Sequence, residues 1–272
     1  LCSWRFLYDT QFAVIDDFLV FKFWAGEQLA YMMPVGNGDL KAVLRKLIED
    51  ADKEKHNFCM LGVCSNMRAD LEAILPERFI FTEDRAYADY IYLRSDLATL
   101  KGKKFQAKRN HINRFRNTYP DYEYTPITPD RIQECLDLEA EWCKVNNCDQ
   151  QEGTGNERRA LIYALHNFEA LGLTGGILHV NGKIVAFTFG MPINHETFGV
   201  HVEKADTSIE GAYAMINYEF ANRIPEQYIY INREEDLGIE GLRKAKLSYQ
   251  PATILEKYMA CLKEHPMNMV KW

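Results

Sequence analysis

The chain has 272 residues, of which 47% are hydrophobic and 12% aromatic, and its formal net charge is -7. This composition is that of a folded globular protein. No apolar run approaches the ~20 residues that a membrane-spanning helix needs, and no signal-peptide pattern opens the chain. We therefore expect a soluble, cytoplasmic protein whose contact with a membrane is at most peripheral. Because the first residue is Leu1 rather than methionine, it stays open whether an N-terminal segment is missing.

The seven cysteines are an odd number and lack the paired Cys/His spacing of a zinc site. Several of them, such as Cys59 and Cys261, lie in apolar segments. Free cysteines in such segments behave as small buried hydrophobic residues in a reducing compartment. We expect neither a disulfide framework nor a metal site.

The first half of the chain predicts a short meander of strands followed by a helix and a further strand. The expected elements are strands at 12–15, 18–24 and 29–34, a helix at 39–51 and a strand at 58–62. A meander followed by a crossover helix and a parallel strand is typical of a mixed sheet with a helix packed on it.

Positive charge is concentrated in Lys101–Arg116, which contains seven Lys or Arg and no Asp or Glu. We predict a helix over 97–119 with one apolar stripe, formed by Phe105, Ile112, Phe115 and Tyr119. One interpretation is a surface for an anion such as a phosphate, a nucleic-acid backbone or a lipid head group. The other is that long basic side chains cover the edge of a packed helix. The candidate substrate-binding residues of this segment are Lys103, Lys104, Lys108 and Arg109.

The second half predicts the same order of elements without repeating the sequence. A strand at 122–125 and helices at about 129–145 and 156–171 come first, and a polar loop at 146–155 joins the two helices. Three strands follow, at 176–180, 183–189 and 197–202.

Local signals fix the turns of this second meander. Asn181-Gly182 is the strongest two-residue hairpin signal. Thr207 and Glu210 have the spacing of a capping box and predict the start of a helix. A last strand is expected at 228–231.

The order of elements resembles that of the GNAT acyltransferase fold, although topology does not establish chemistry. We expect an α/β (α+β) protein with two tandem GNAT-like lobes, each a mixed, mostly antiparallel sheet flanked by helices. The expected domains are an N-terminal lobe at 1–96, a basic linker helix at 97–120 and a C-terminal lobe with the site at 121–272.

A second concentration of charge follows the last predicted strand, which ends in Asn232. Three consecutive carboxylates come next, Glu234, Glu235 and Asp236. Ligands of open α/β sheets bind at the carboxyl ends of strands, and mutual repulsion is expected to raise the pKa of one carboxylate toward that of a general base. The candidate substrate-binding residues of this block are Asn232, Arg243 and Lys246. Arg243 and Lys246 share a helical face and suit a phosphate or carboxylate. An acidic turn paired with its own basic helix is the alternative.

The block from Asn232 to Lys246, together with the block from Gly102 to Phe115, resembles the C-terminal catalytic domain of phosphatidylglycerol lysyltransferases. The resemblance is closer still to the stand-alone relatives of that domain, and it spans most of the chain. It implies two GNAT-like lobes and an aminoacyl group moved from charged transfer RNA to a lipid head group. Fem-type peptidyltransferases share this donor and scaffold. The matching positions imply that Asp236, Arg243 and Lys246 lie at or near the site.

Two departures from the family affect the substrates. This sequence has no counterpart of the membrane-spanning half of a lipid lysyltransferase, which leaves the lipid acceptor open. It also lacks the glycine-rich pyrophosphate loop of an acetyl-CoA-dependent enzyme. The segment 204–211 supplies only Gly211 as a candidate cofactor-binding residue, although a helix N-terminus there could bind a phosphate. We expect no cofactor unless acyl-CoA is the donor.

The leading hypothesis is an aminoacyltransferase that takes its group from aminoacyl-tRNA or another phosphate-rich donor. The acceptor is an amine or hydroxyl on a small molecule or lipid head group. Glu235 or Asp236 would position or deprotonate it, while Arg243 and Lys246 would bind phosphate or stabilise an oxyanion. One alternative is an acetyl-CoA-dependent N-acetyltransferase of a small amine, and another is a non-catalytic RNA-binding module.

Two histidines are weighed and neither is assigned a catalytic role. His201 is expected on the third strand of the second meander, and His111 on the border of the basic helix. A lone histidine is more often structural than catalytic.

Overall fold

A computed structural model describes residues 2–146 and 152–263. The chain forms two compact units. The first comprises the described residues of Leu1–Ala88 and Leu255–Trp272, and the second is Asp89–Ile254. Each has a mixed sheet flanked by helices, so the predicted α/β class is confirmed. None of the helices in the described part of the chain has the length and apolar character needed to cross a bilayer.

The helices are α1 (Arg5–Tyr8), α2 (Leu40–Lys53), α3 (Ser65–Ile74), α4 (Arg94–Thr99), α5 (Gln106–Thr118), α6 (Ile132–Asn146), α7 (Glu152–His166), α8 (Ala212–Arg223) and α9 (Glu240–Leu247). The strands are β1 (Gln11–Ile15), β2 (Phe18–Ala25), β3 (Gln28–Met32), β4 (Val35–Gly36), β5 (Cys59–Val63), β6 (Phe79–Glu83), β7 (Asp89–Leu93), β8 (Glu123–Pro126), β9 (Thr174–Val180), β10 (Lys183–Pro192), β11 (Thr197–Ala205), β12 (Tyr230–Asn232), β13 (Thr253–Leu255) and β14 (Tyr258–Leu262). Apart from the helix predicted over 97–119, the predicted elements are present with shifted ends. Residues 147–151 of the predicted polar loop lie outside the described residues.

The sheet of the first unit has the order β1-β2-β3-β5-β14-β6, with β4 paired to β2. Its first three strands form an antiparallel meander, and β5 runs parallel to β3 after α2. The Asp39 carboxylate accepts a hydrogen bond from the Ala42 N–H and begins α2. One face of α2 buries Val43, Leu44, Leu47, Ile48 and Ala51. This burial of an apolar stripe confirms the helix predicted at 39–51.

The strand β14 returns from the far end of the described chain and inserts between β5 and β6. This pairing places Cys261 opposite Cys59, and the two form a disulfide. The interpretation of both residues as free thiols is therefore wrong. Nothing local in the sequence reveals the pairing, because the two cysteines are 202 residues apart.

Replacing Cys59 by serine is expected to lower the free energy of unfolding of the first unit by about 3–5 kcal/mol, because a disulfide restricts the unfolded chain most when its loop is long. Urea unfolding under non-reducing conditions measures this. Cys64→Ser is the matched control, since Cys64 is not in a disulfide. A reductant should bring the wild type down to the level of Cys59→Ser. Equal stability of the wild type and Cys59→Ser without reductant would contradict the disulfide between Cys59 and Cys261.

The sheet of the second unit has the order β13-β7-β12-β11-β10-β9-β8. Strands β9, β10 and β11 form an antiparallel meander, and β12 runs parallel to β11 after α8. The hairpin predicted at Asn181-Gly182 is confirmed, with φ of 52° and 73° at its two turn residues. The helices α6 and α7 pack on this sheet around Leu138, Leu161 and Phe187.

The capping box predicted at Thr207 and Glu210 is wrong. The helix α8 begins later, with Gly211 as its N-cap at φ of 86° and no side-chain cap. The preceding turn is held instead by Asp206, whose carboxylate accepts hydrogen bonds from the N–H and hydroxyl of Ser208.

The single helix predicted over 97–119 is also wrong, because the chain breaks between α4 and α5. Leu100 ends α4 at φ of 48°, and Gly102 has φ of 92°, so neither continues a helix. The apolar stripe itself is correct, since Phe105, Ile112 and Phe115 are buried. The core therefore follows the predicted periodicity although the helix is interrupted.

The two units divide the chain differently from the boundaries expected at 96 and 120. Residues 89–96 join the second unit because β7 pairs with β12. The end of the described chain joins the first unit because β14 pairs with β5 and β6. Both assignments depend on strand pairing between segments that are distant in sequence.

Candidate functional site

The strands β11 and β12 diverge at the candidate site in the second unit. They pair in parallel from Thr197 opposite Tyr230 to Gly199 opposite Asn232, and beyond this point β11 continues to Ala205 paired only with β10 on its other side. A β-bulge lies at the point of divergence, because Gly190 pairs with Val200 whereas Phe189 pairs with Val202. Bulges re-aim side chains and are frequent beside active sites. The bulge places His201 at the start of the opening, which we call the splay.

His201 forms a close pair with a carboxylate that follows β12. Its Nδ1 lies 2.6 Å from Glu234 Oε1, and both side chains are partly exposed. Glu234 has a left-handed φ of 57°, and its N–H donates to Asn232 Oδ1 at 2.7 Å. A proton on Nδ1 that is donated to the carboxylate leaves Nε2 as a proton acceptor. In the sequence, the only signal for His201 is its predicted position on the third strand of the second meander.

Asp236 is fully buried and holds the turn after β12. Its carboxylate accepts hydrogen bonds from Arg243 at 2.7 and 2.9 Å, from the Tyr90 hydroxyl at 2.6 Å and from the Gly238 N–H at 2.8 Å. The Arg243 guanidinium, followed by the other donors, holds the pKa of Asp236 well below its usual range. The raised pKa that would suit a base is therefore not found at Asp236. The geometry is that of an anion that positions Arg243.

Lys246 and Asn232 fix the backbone around this turn. The Lys246 ammonium donates to the carbonyls of Arg233 at 2.6 Å, of Glu234 at 3.2 Å and of Glu235. Burial, and then the neighbouring Arg233, lower the pKa of Lys246 to about 8. The Asn232 amide donates to Asp89 Oδ2 at 3.0 Å. These side chains shape the end of β12 through backbone contacts, and the half-buried Glu235 side chain lies in the same turn.

A second group of charges flanks the splay. Arg233, which directly follows β12, donates to Glu203 Oε1 on β11 at 2.9 Å. The Lys108 ammonium, from α5, lies 3.9 Å from the ring centre of the buried Tyr249. Burial, followed by repulsion from Arg233, lowers the pKa of Lys108 to about 8. Sequence reasoning missed Arg233 and Glu203, although Arg233 directly follows the strand-ending Asn232.

The four basic candidates of the linker segment have different surroundings. Lys108 joins the charges of the splay. Lys104 pairs with Asp96 at 2.8 Å, and Arg109 donates to the carbonyls of Leu100 and Gly102, the latter at 2.7 Å. Both therefore stabilise the junction of α4 and α5. Lys103 is exposed.

Gly211 packs tightly against α5. A Cβ at this position would lie 3.0 Å from the His111 carbonyl oxygen and 3.2 Å from Phe115 Cβ. Helix packing and a positive φ thus explain the glycine without a phosphate ligand. In the described part of the chain, no group of three or more His, Cys, Asp or Glu side chains has the arrangement of a metal site.

Similar proteins include solved structures and one curated relative. A conserved protein from Bacteroides thetaiotaomicron VPI-5482 is 99% identical, with a TM-score of 0.95 over 97% of this chain and 89% of that chain. L-PGS from Bacillus licheniformis is 18% identical, with a TM-score of 0.68 over 98% of this chain and 88% of that chain. A Mycoplasmoides gallisepticum protein is 25% identical over 177 residues, which is 63% of this chain. The match spans 55% of the length of that relative.

GNAT-like acyltransferases and FemX are also among the similar structures, FemX with a TM-score of 0.61 at 8% identity over 94% of this chain and 89% of that chain. At such identity the likeness concerns the fold, and the expected GNAT-like lobes are confirmed in that sense. The family described as phosphatidylglycerol lysyltransferase, C-terminal, matches residues 1–261. Fold and family are thus those of an aminoacyltransferase-type domain. With nearly its whole length matched, the chain belongs to the phosphatidylglycerol lysyltransferase C-terminal family.

Proposed function

We propose that this chain transfers an aminoacyl group from aminoacyl-tRNA to an amine or hydroxyl acceptor at the splay between β11 and β12. The observation that carries the proposal is the pair of His201 and Glu234, 2.6 Å apart at the bulge. An imidazole oriented by a carboxylate is a common general base. The proposal assigns the general base to His201, whereas the sequence-based hypothesis assigned it to Glu235 or Asp236.

The reaction needs one proton acceptor and one group that stabilises negative charge. The acceptor nucleophile attacks the ester carbonyl carbon while His201 Nε2 takes its proton, and a tetrahedral oxyanion forms. The carbon–oxygen bond to the ribose then breaks, and the leaving ribose oxygen receives the proton. Lys108 and Arg233 supply positive charge beside the oxyanion and the donor phosphates. An aminoacyl ester is already activated, so positioning and one base supply the remaining chemistry.

The packing at α8 favours this donor over coenzyme A. An acetyl-CoA-dependent N-acetyltransferase would bind the pyrophosphate of coenzyme A at the N-terminus of the helix that follows the third strand of the meander. Here the first residue of that helix follows Gly211, which contacts α5, and Glu210 at the same end pairs with Arg114. A carboxylate at this end opposes an anion.

Transfer from tRNA charged with a radiolabelled amino acid tests the proposal. We expect the labelled ester to be consumed faster than by hydrolysis alone when a suitable acceptor is present. The acceptors to be compared are small amines, hydroxyl compounds and vesicles that contain phosphatidylglycerol. Consumption of acetyl-CoA with no use of charged tRNA would support the N-acetyltransferase instead. Salt-dependent tRNA binding without turnover of either donor would indicate an RNA-binding module.

A further inference from the structure

The charges on one side of the splay are unbalanced in favour of an anion. Two cations, Lys108 and Arg233, lie beside one carboxylate, Glu203, which accepts from Arg233 Nη2 at 2.9 Å. Arg233 Nη1 is buried and has no hydrogen-bond acceptor among the described residues. Lys108 contacts the face of Tyr249 and makes no ion pair within the described ranges. An unsatisfied buried donor of a charged group is costly unless a ligand satisfies it.

An unpaired acceptor lies in the same cluster. Asn217 on α8 is 5% exposed, and its Nδ2 donates to Glu203 Oε2 at 3.2 Å. Its Oδ1 is buried and has no donor among residues 2–146 and 152–263. Glu203 therefore accepts hydrogen bonds from both Arg233 and Asn217. Within the described residues, Arg233 Nη1 still lacks an acceptor and Asn217 Oδ1 still lacks a donor. A ligand that satisfies both needs an anionic group and, next to it, a hydroxyl or amine donor.

We propose that Lys108, Arg233 and Asn217 form a subsite for the phosphate and adjoining ribose hydroxyl of a nucleotide at the end of the donor RNA. Lys108 and Arg233 Nη1 donate to phosphate oxygens, and Asn217 Oδ1 accepts from the hydroxyl. This subsite rests on the proposed function and deepens it, because it assigns the residues that recognise the donor. None of its three residues takes part in the proton transfer assigned to His201.

The surroundings of Lys108 favour a nucleotide over an isolated phosphate ester. Lys108 belongs to Lys101–Arg116, and three exposed cations precede it in that segment, Lys101, Lys103 and Lys104, of which Lys104 pairs with Asp96. A polynucleotide that enters the subsite with one phosphate can place further phosphates along such a segment. A small phosphate ester carries no further phosphates that could contact these exposed cations.

Calorimetric titration of the full chain with adenosine 5′-monophosphate tests the subsite without requiring turnover. We expect Lys108→Gln to weaken binding by about tenfold or more, the usual loss for a charge-assisted hydrogen bond. Lys183→Gln is the matched control, because Lys183 is an exposed cation at the start of β10 in the same unit. Adenosine lacks the phosphate. Its affinity for the wild type should therefore be as low as the affinity of adenosine 5′-monophosphate for Lys108→Gln.

Asn217→Ala tests the hydroxyl contact even if replacing Arg233 prevents folding. The wild type should prefer adenosine 5′-monophosphate over its 2′,3′-dideoxy analogue by about fivefold or more, and Asn217→Ala should lose this preference. Undiminished binding by Lys108→Gln, or tighter binding of sn-glycerol 3-phosphate than of the nucleotide, would overturn the nucleotide subsite. Nucleotide binding without any transfer activity would leave the subsite standing and refute only the proposed function.

Discussion

His201→Ala is expected to lower the rate of aminoacyl transfer by about 10²–10⁴-fold, the range that a positioned general base contributes. The substitution should leave the fold intact, because the His201 side chain is 31% exposed and lies at a bulge where strand pairing is already interrupted. Single-turnover transfer from charged tRNA to the best acceptor measures the chemical step. Binding of tRNA should change little, since His201 is not assigned to the donor.

Two variants make this result specific. Glu234→Gln keeps the shape of the partner but removes the negative charge 2.6 Å from Nδ1, so we expect a smaller loss of rate than for His201→Ala. His195→Ala changes an exposed histidine in the turn before β11 and should leave the rate unaltered. Full activity of His201→Ala would show that His201 is not the general base and would leave Glu235 as the candidate.

Asp236→Ala is expected to destabilise the second unit by about 3 kcal/mol. The substitution removes the hydrogen-bond acceptor of the buried Tyr90 hydroxyl and of the Gly238 N–H. It also removes the bidentate hydrogen bonds that Arg243 donates to the carboxylate. Urea unfolding followed by circular dichroism measures the change. Asp96→Ala is the control, since Asp96 pairs with the half-exposed Lys104 and such surface pairs contribute about 0–1 kcal/mol.

The same carboxylate should make stability depend on pH in the acid range. The Asp236 pKa is lowered in the folded protein, so its ionised form stabilises the fold fully above the unfolded-state pKa. That stabilisation is lost as the pH falls through the folded-state pKa. The difference between the wild type and Asp236→Ala should therefore be largest near pH 7 and narrow below about pH 3. An unchanged difference across this range would contradict an ionised, hydrogen-bonded Asp236.

The sequence by itself determined the elements whose signals are local. The apolar stripe of α2 and the hairpin at Asn181-Gly182 were predictable, because helix periodicity and turn chemistry involve neighbours in the chain. Charge in the block from Asn232 to Lys246 also predicted a candidate site at the end of β12, which remains a proposal. Local patterns failed where a single residue's φ decided the outcome, as at Leu100 and Gly211.

Only the tertiary structure decided which side chains meet. Glu234 reaches His201 because a bulge and the divergence of two strands bring segments 33 residues apart into contact. Lys108 reaches Tyr249 because α5 packs beside the same strand ends. Cys59 pairs with Cys261 only after β14 has inserted into the sheet. Such partners are set by strand order and long-range packing, and residue types and spacings along the chain do not encode them one by one.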